Sequence, residues 1–353
     1  MTVAVRSFAK INLGLCIGAP RADGFHDLRT VYQTIALHDV IRVGVARGSG
    51  IEILCDDPRV PLDSANTCYR IAERVTTRLG ARGRITVKIE KKLPVQGGLG
   101  AASSNAVATM VGLERALKKR LTGATRLRIA AEVGSDLPLF LIGGTVLGVG
   151  RGEEVYPLPD LPSIPMVVVT PEVGVSTPRA FADWDALVAG DKAAERRSAR
   201  TIEGGRSFAG QPRAAAPHEL TRSGGSDRLF EVGCALSAWL SGYPDAGAPA
   251  KGGGRAGNLS DLVRAGIEND FEKVVFPQSP ELRDIKRALV RAGSRYASLS
   301  GSGSTLYGLF ESEKAAVNAA QDLRKQGLKA TATRALTRRE YWKWLPLRGR
   351  SRG

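Results

Sequence analysis

The sequence predicts a mixed α and β fold in two units, and three observations predict it. The opening stretch carries short apolar segments of β type, at residues 3–8, 31–35 and 40–45. A strand pattern over 85–89 runs into a glycine-serine turn and then into a helical pattern over 105–117. Pro157, Pro159, Pro162 and Pro165 then interrupt the chain just before a new apolar strand at 166–170. A length of 353 residues suffices for two domains. At 43% hydrophobic residues the chain can bury a sizeable core.

The elements follow in order. Residues 18–24, rich in Gly, Pro and Asp, read as a loop between the first two strand regions. Ile71, Val75 and Leu79 recur every four residues and predict a helix over 66–79. In the helix at 105–117, Val107, Met110, Val111 and Leu117 share a face that suits core packing. A further helix at 127–133 ends at Gly134. Ser135 is placed to cap the next helix, with Asp136 in its first turn and Pro138 tolerated that early. Residues 143–150 read as a turn and a small-residue strand. Between about 190 and 257 the composition shifts to Gly, Ala, Ser and Arg, which predicts a long surface insertion with one helical pattern at 229–240. Helical periodicity resumes near 262 and at 282–292. Paired strands at 296–300 and 306–310, a helix at 315–326 and a strand at 329–335 complete the chain.

Composition narrows the function. No apolar run approaches the roughly 18 residues of a membrane span, and Arg6 and Lys10 interrupt the N-terminus, so neither a membrane segment nor a secretory leader is expected. Cys16, Cys55, Cys68 and Cys234 form no Cys-x-x-Cys pair and suit a reducing cytoplasm. Three histidines make a histidine metal cluster an unpromising reading. The net charge of +16 fits either nucleic acid or a basic surface that attracts anionic substrates. The basic residues are spread out and no aromatic-basic interleaving stands out, which favours the second. The densest group, Arg338, Arg339, Lys343, Arg348, Arg350 and Arg352, reads as a solvated end or a weak anion-binding arm.

The chemistry starts at Pro94, Val95, Gln96, Gly97, Gly98, Leu99, Gly100, Ala101, Ala102, Ser103 and Ser104. Small residues let backbone approach a ligand, and a helix start offers unpartnered amides at its positive end, a site suited to phosphate. No Gly-Lys-Ser/Thr ends the turn, so it is not a Walker A loop, and Ser103 takes the third glycine position of the dinucleotide fingerprint. The hydroxyls of Ser103 and Ser104 can cap, bond phosphate or help hold Mg²⁺. Phosphoryl transfer further needs charge neutralisation and a group that orients or deprotonates the acceptor. Lys10 and Asp136 are candidates. Taken singly, Lys10 also reads as an exposed lysine at a strand end, and Asp136 as a first-turn helix aspartate. His26 reads as a ligand contact or a loop histidine.

Taken in order, the motifs Ala9-Lys10-Ile11-Asn12-Leu13, Asp23-Gly24-Phe25-His26, Pro94 to Ser104, and Gly134-Ser135-Asp136-Leu137-Pro138 resemble those of the GHMP small-molecule kinases. Gly143-Gly144-Thr145, Gly150-Arg151-Gly152-Glu153, Val175-Ser176-Thr177-Pro178, Asn269-Asp270-Phe271-Glu272 and Ser300 to Thr305 are similar to further signatures. Together they span roughly residues 6 to 310.

The resemblance implies an α+β fold: an N-terminal ribosomal-protein-S5-like domain and a C-terminal ferredoxin-like α/β sandwich, with the active site in the cleft between. The corresponding division is residues 1–160, 161–345 and a basic tail at 346–353. It implies ATP and Mg²⁺, and phosphorylation of a hydroxyl on a methylerythritol linked to cytidine diphosphate, in the non-mevalonate isoprenoid route. The partner is then that small molecule rather than nucleic acid or membrane, acting on a cytoplasmic monomer or weak homodimer.

By the same likeness Lys10 and Asp136 are the catalytic pair, and residues 94–104 wrap the phosphates. Phe25 and His26 hold the cytosine, Phe181 is a second stacking face, and Asn12 and Thr177 lie near the acceptor. Ser104 is the candidate Mg²⁺ ligand. Two departures stand out. Phe25 replaces the usual tyrosine, and Ala101 and Ala102 replace frequent glycines. Kinases of homoserine, mevalonate or sugars, and a catalytically silent nucleotide-binding protein, are the alternatives.

Overall fold

The computed structural model describes residues 2–203 and 268–347. It opens on one long antiparallel hairpin of β1 (Thr2–Pro20) and β2 (His26–Ala46). Shorter strands and a loop over 18–24 were expected here. The strands continue because Lys10, Asn12, Thr30 and Gln33, polar residues that break the apolar pattern, are buried inside the hairpin. Only residues 21–25 turn, closed by a hydrogen bond from the Arg21 amide to the Phe25 carbonyl at 2.6 Å.

β3 (Ile51–Cys55), α1 (Thr67–Leu79), β4 (Arg84–Glu90), α2 (Ala101–Ala116), α3 (Gly123–Val133), α4 (Leu137–Ile142), β5 (Thr145–Gly150) and β6 (Glu154–Pro157) follow. They complete a six-stranded sheet of order β3-β4-β2-β5-β6, with β1 on β2. The length of β2 lets it serve three neighbours: β1 throughout, β5 along residues 28–33 and β4 along residues 40–46. Ile71, Ala72 and Val75 of α1 pack with Ala106, Val107 and Met110 of α2 on this sheet.

The second half holds β7 (Pro165–Val169), α5 (Thr177–Glu203), α6 (Glu272–Gln278), α7 (Pro280–Arg291), β8 (Tyr296–Leu299), β9 (Leu306–Leu309), α8 (Glu313–Lys325), β10 (Ala330–Arg334) and α9 (Arg338–Trp344). Its strands form an antiparallel sheet of order β10-β7-β9-β8. The two sheets share an apolar junction in which Ala9, Ile11, Leu13, Val31 and Ile35 meet Met166, Val168, Tyr307 and Leu309. Burial of this kind gains about 25 cal/mol per Å² of apolar surface, so the junction holds the halves together. No helix among the described residues is long and apolar enough to cross a membrane.

Three expectations are corrected. Helix α2 starts at Ala101 rather than 105, because Gly100, in a left-handed conformation, ends the turn there and alanines favour helix. The N-cap of α4 is Asp136, not Ser135, and its side chain makes no capping hydrogen bond. The basic stretch at 338–344 is no solvated end but helix α9, opened by a capping box of Thr337 and Glu340. Helix α5 also runs to Glu203, into the expected insertion. The rest of that insertion, with the helical patterns at 229–240 and near 262, and the tail from 348 lie outside the described residues.

Helix α9 returns to the first sheet. Tyr341 is 1% exposed, its ring lies 5.5 Å from that of Phe8, and its hydroxyl donates to the Phe140 carbonyl at 2.7 Å. Truncating it leaves both a void and an unpaired carbonyl. Tyr341→Ala should destabilise the fold by about 3–5 kcal/mol, measured by urea unfolding. A loss below about 1 kcal/mol would show that α9 is not part of this core.

Candidate active site

Lys10 is the centre of the site. The register of β1 on β2 slips between Phe8, paired with His38, and Lys10, paired with Thr34. A bulge of this kind re-aims the side chains beside it. Lys10 is 4% exposed, not the surface lysine that its position at a strand end suggested. Its ammonium donates to Asn12 Oδ1 at 2.7 Å, lies 3.3 Å from Asp136 Oδ2 and sits 5.3 Å above the centre of the Tyr32 ring. Asn12, two residues along the same strand face, is held in turn by donating to Thr30 Oγ1 at 2.7 Å.

Asp136 arrives from the short turn between α3 and α4. Its carboxylate does not cap its own helix. It faces Lys10 and accepts a hydrogen bond from the Tyr32 hydroxyl at 3.1 Å. Burial, reinforced by the charge of Asp136, pushes the Tyr32 phenol well above its usual range, so it remains a donor. The carboxylate therefore has one cation and one neutral donor, and with about a third of its surface open it can still reach a ligand.

The glycine loop closes the next side. Residues Pro94 to Ser103 line a cavity of about 330 Å³ together with residues such as Val60, Asn66 and Thr67. Gly100 caps α2 without any side-chain bond, which leaves the first amides of that helix for a ligand. The left-handed backbone falls on Gln96, Gly98 and Gly100. Ala101 and Ala102 stand within the helix, where a methyl group is no obstacle.

Gly98 touches the second half directly. A Cβ there would lie 2.1 Å from the Ser300 carbonyl oxygen and 3.2 Å from Gly303 Cα. The Ser300 hydroxyl donates to the Gly98 carbonyl at 3.0 Å, and the Thr305 amide donates to the Gly97 carbonyl at 3.2 Å. Lys10 threads between the loops: a Cβ at Gly100 would meet its Cγ at 3.0 Å, and one at Gly301 its Nζ at 3.5 Å. The ammonium, the carboxylate and the glycine loop are thus brought together.

Ser104 is not available to a metal. It is 2% exposed, its hydroxyl donates to the Phe8 carbonyl at 2.6 Å and lies 2.7 Å from Ser7 Oγ, so it faces the core. One helical step earlier, Ser103 lines the cavity.

Phe25, His26 and Phe181 gather at the other end of the hairpin. Phe25 is half exposed at the turn, with the Arg151 guanidinium 4.9 Å from its ring centre. His26 is 7% exposed. Its ring stacks on Phe181 at 4.8 Å and 14°, and Phe181 in turn meets Phe271 edge-on. Phe181 therefore packs on His26. The Thr177 hydroxyl lies 2.6 Å from that of Ser302, which ties the start of α5 to the 300–305 loop.

Sequence reasoning missed Tyr32, Thr30, Asp185 and the role of Arg151. A tyrosine in an apolar strand reads as core, and only the pairing of β2 with β5 sets Tyr32 beside Asp136. It also missed Asp39, which is fully buried. Asp39 Oδ1 accepts from the amides of Lys92 and Leu93, at 2.6 and 2.8 Å. Its Oδ2 accepts from Lys91 Nζ at 2.7 Å and Asn105 Nδ2 at 3.1 Å. That one carboxylate holds both the chain entering the glycine loop and the helix leaving it.

Residues 66–144 match the GHMP kinases N terminal domain, and residues 250–329 match the GHMP kinases C terminal family. A 4-diphosphocytidyl-2-C-methyl-D-erythritol kinase of Solibacter usitatus is 36% identical over 88% of this chain and 82% of its own length. The chain belongs to the GHMP kinase family. A Moorella thermoacetica relative with the same name is 33% identical over 94% of this chain and 98% of its own. Among solved structures, a 4-(cytidine 5'-diphospho)-2C-methyl-D-erythritol kinase superposes with a TM-score of 0.65 at 26% identity, covering 94% of this chain and 98% of that one. A homoserine kinase from Cytophaga hutchinsonii superposes at 0.63 with 20% identity, over 95% of each chain, a likeness of fold alone. As a GHMP kinase the chain uses ATP as its phosphoryl donor.

Gly98 offers a test of the loop. Gly98→Ala forces a side chain into left-handed backbone, at about 1–2 kcal/mol, and against the Ser300 carbonyl. The KM for ATP should rise about tenfold or more, read by steady-state kinetics. An unchanged KM would separate the loop from the nucleotide.

Proposed function

We propose that this GHMP kinase transfers the terminal phosphoryl group of ATP to a hydroxyl of 4-diphosphocytidyl-2-C-methyl-D-erythritol, giving the 2-phosphate. The observation that carries the reading is the Lys10–Asp136 pair, 3.3 Å apart beside the glycine loop. Two relatives of that name, aligned over most of the chain, support the choice of acceptor.

In this reading residues 1–160 carry the nucleotide and residues 161–345 supply the 300–305 loop and α5. Asp136 takes the proton of the acceptor hydroxyl, an effect worth about 10²–10⁴ in rate. Lys10 pairs with Asp136 and offsets charge on the oxygen being phosphorylated. Tyr32 fixes the carboxylate through Oδ1, which leaves the other oxygen turned toward Lys10. The amides at the start of α2 receive the phosphates, and the cavity behind the glycine loop takes the rest of the nucleotide.

Among the described residues no three His, Cys, Asp or Glu side chains gather as a cation cage. Mg²⁺ is usually bound through only one or two protein carboxylates plus substrate phosphates, so Mg²⁺ brought in with ATP needs no such cage. Bound that way, it neutralises phosphate charge.

Phe25 and His26 receive the cytosine. A phenylalanine ring stacks on a base as a tyrosine ring does, so the departure at position 25 costs only the phenol's hydrogen bond. Asn12 and Thr177 line the route from the base to Lys10.

An assay of ADP release on a panel of acceptors tests the proposal. Turnover should need the cytidine-linked acceptor and Mg²⁺ together, with homoserine and mevalonate inert. Asp136→Asn should lower kcat by about 10²–10⁴ with unchanged circular dichroism. Turnover of homoserine alone would replace the acceptor, and a fully active variant would remove the base. Tyr32→Phe should lower kcat about tenfold to a hundredfold, the loss of one hydrogen bond to a charged group, with little change in either KM.

A further inference from the structure

His26 is held from behind by helix α5. Phe181 and Asp185 stand four residues apart, hence on one face of that helix. Phe181 stacks on the imidazole, and Asp185 Oδ1 lies 2.7 Å from Nε2. The histidine side chain is 6% exposed and the aspartate 48%. An ionised carboxylate only accepts hydrogen bonds, so Nε2 carries the proton in this pair. The bond made by one ring nitrogen decides what the other can do. Nδ1 is then the nitrogen left to bond a ligand, and in the neutral ring it is an acceptor.

Resting on the assignment of Phe25 and His26 to the base, we propose that Asp185 is a positioning residue for acceptor recognition. It fixes the tautomer and plane of His26 so that Nδ1 accepts from the exocyclic amine of cytosine. Uracil presents a carbonyl oxygen at that position, and two acceptors then face each other. Asp185 thereby contributes to the choice of a cytidine-linked acceptor over a uridine-linked one. The device spans both halves, since His26 belongs to the first hairpin and Asp185 to the second half.

The full-length enzyme, Asp185→Ala and His26→Ala are compared at pH 8. Three readouts are taken: the KM and kcat for the cytidine-linked acceptor, the KM for ATP, and inhibition by CMP against UMP. Nitrogen-15 NMR of the imidazole, assigned by its loss in His26→Ala, reports which ring nitrogen carries the proton. In the wild type the proton should lie on Nε2. Asp185→Ala should lose that fixed tautomer and raise the acceptor KM about fivefold to tenfold. It should also narrow the preference for CMP over UMP, while kcat and the KM for ATP stay close to wild type.

The proposal fails if the wild-type proton lies on Nδ1. It also fails if His26→Ala raises the acceptor KM while Asp185→Ala changes neither that KM nor the CMP preference. If His26→Ala itself leaves the acceptor KM unchanged, the base assignment falls, and this role of Asp185 falls with it.

Discussion

A buried ammonium group governs the architecture of the site. Lys10 lies in the middle of β1, where two sheets meet and little water reaches. A charge in such a place is costly unless it is paired and hydrogen-bonded. The surroundings meet that demand with the Asn12 amide oxygen, the Asp136 carboxylate and the face of Tyr32. Each of these comes from a different turn or strand, so the charge can be satisfied only once the hairpin and the α3–α4 turn are in place. The group proposed to serve catalysis is thereby also one that the fold must be complete to tolerate.

The glycine loop is held with similar firmness. Asp39, with no exposed surface, gathers two backbone amides, a lysine and an asparagine around one carboxylate. On the opposite side the loop lies against the 300–305 turn at distances that only glycine permits. Held from both halves, the amides that would face phosphate need no large rearrangement to do so. Pre-arranged donors of this kind are what phosphoryl transfer asks of a protein.

The helices and most strands were legible in the sequence, because periodicity and punctuation report burial along a single element. Asn66 before α1 and Gly80 after it behave as their residue types predict. Legibility failed where a polar residue is buried for the sake of a distant partner. Lys10, Asn12 and Gln33 interrupt the apolar pattern of the first hairpin, so two strands looked shorter than they are. Ser104 misled in the opposite sense. Next to Ser103 it reads as a second ligand hydroxyl, yet one step of about 100° around the helix turns it from the cavity to the Phe8 carbonyl.

Order and spacing of motifs determined the family of this protein and the identity of its acidic and basic pair, since both depend on residue type and chain sequence alone. The third dimension decided which neighbours those residues answer to: Tyr32 for Asp136, Asp185 for His26, Ser300 and Gly303 for Gly98. Such partners lie far apart along the chain and are joined only by the pairing of β2 with β5, the seat of α5 against the hairpin and the packing of one sheet on the other. Hydrogen bonds and desolvation act over a few ångströms of space, and a linear pattern carries no record of those distances.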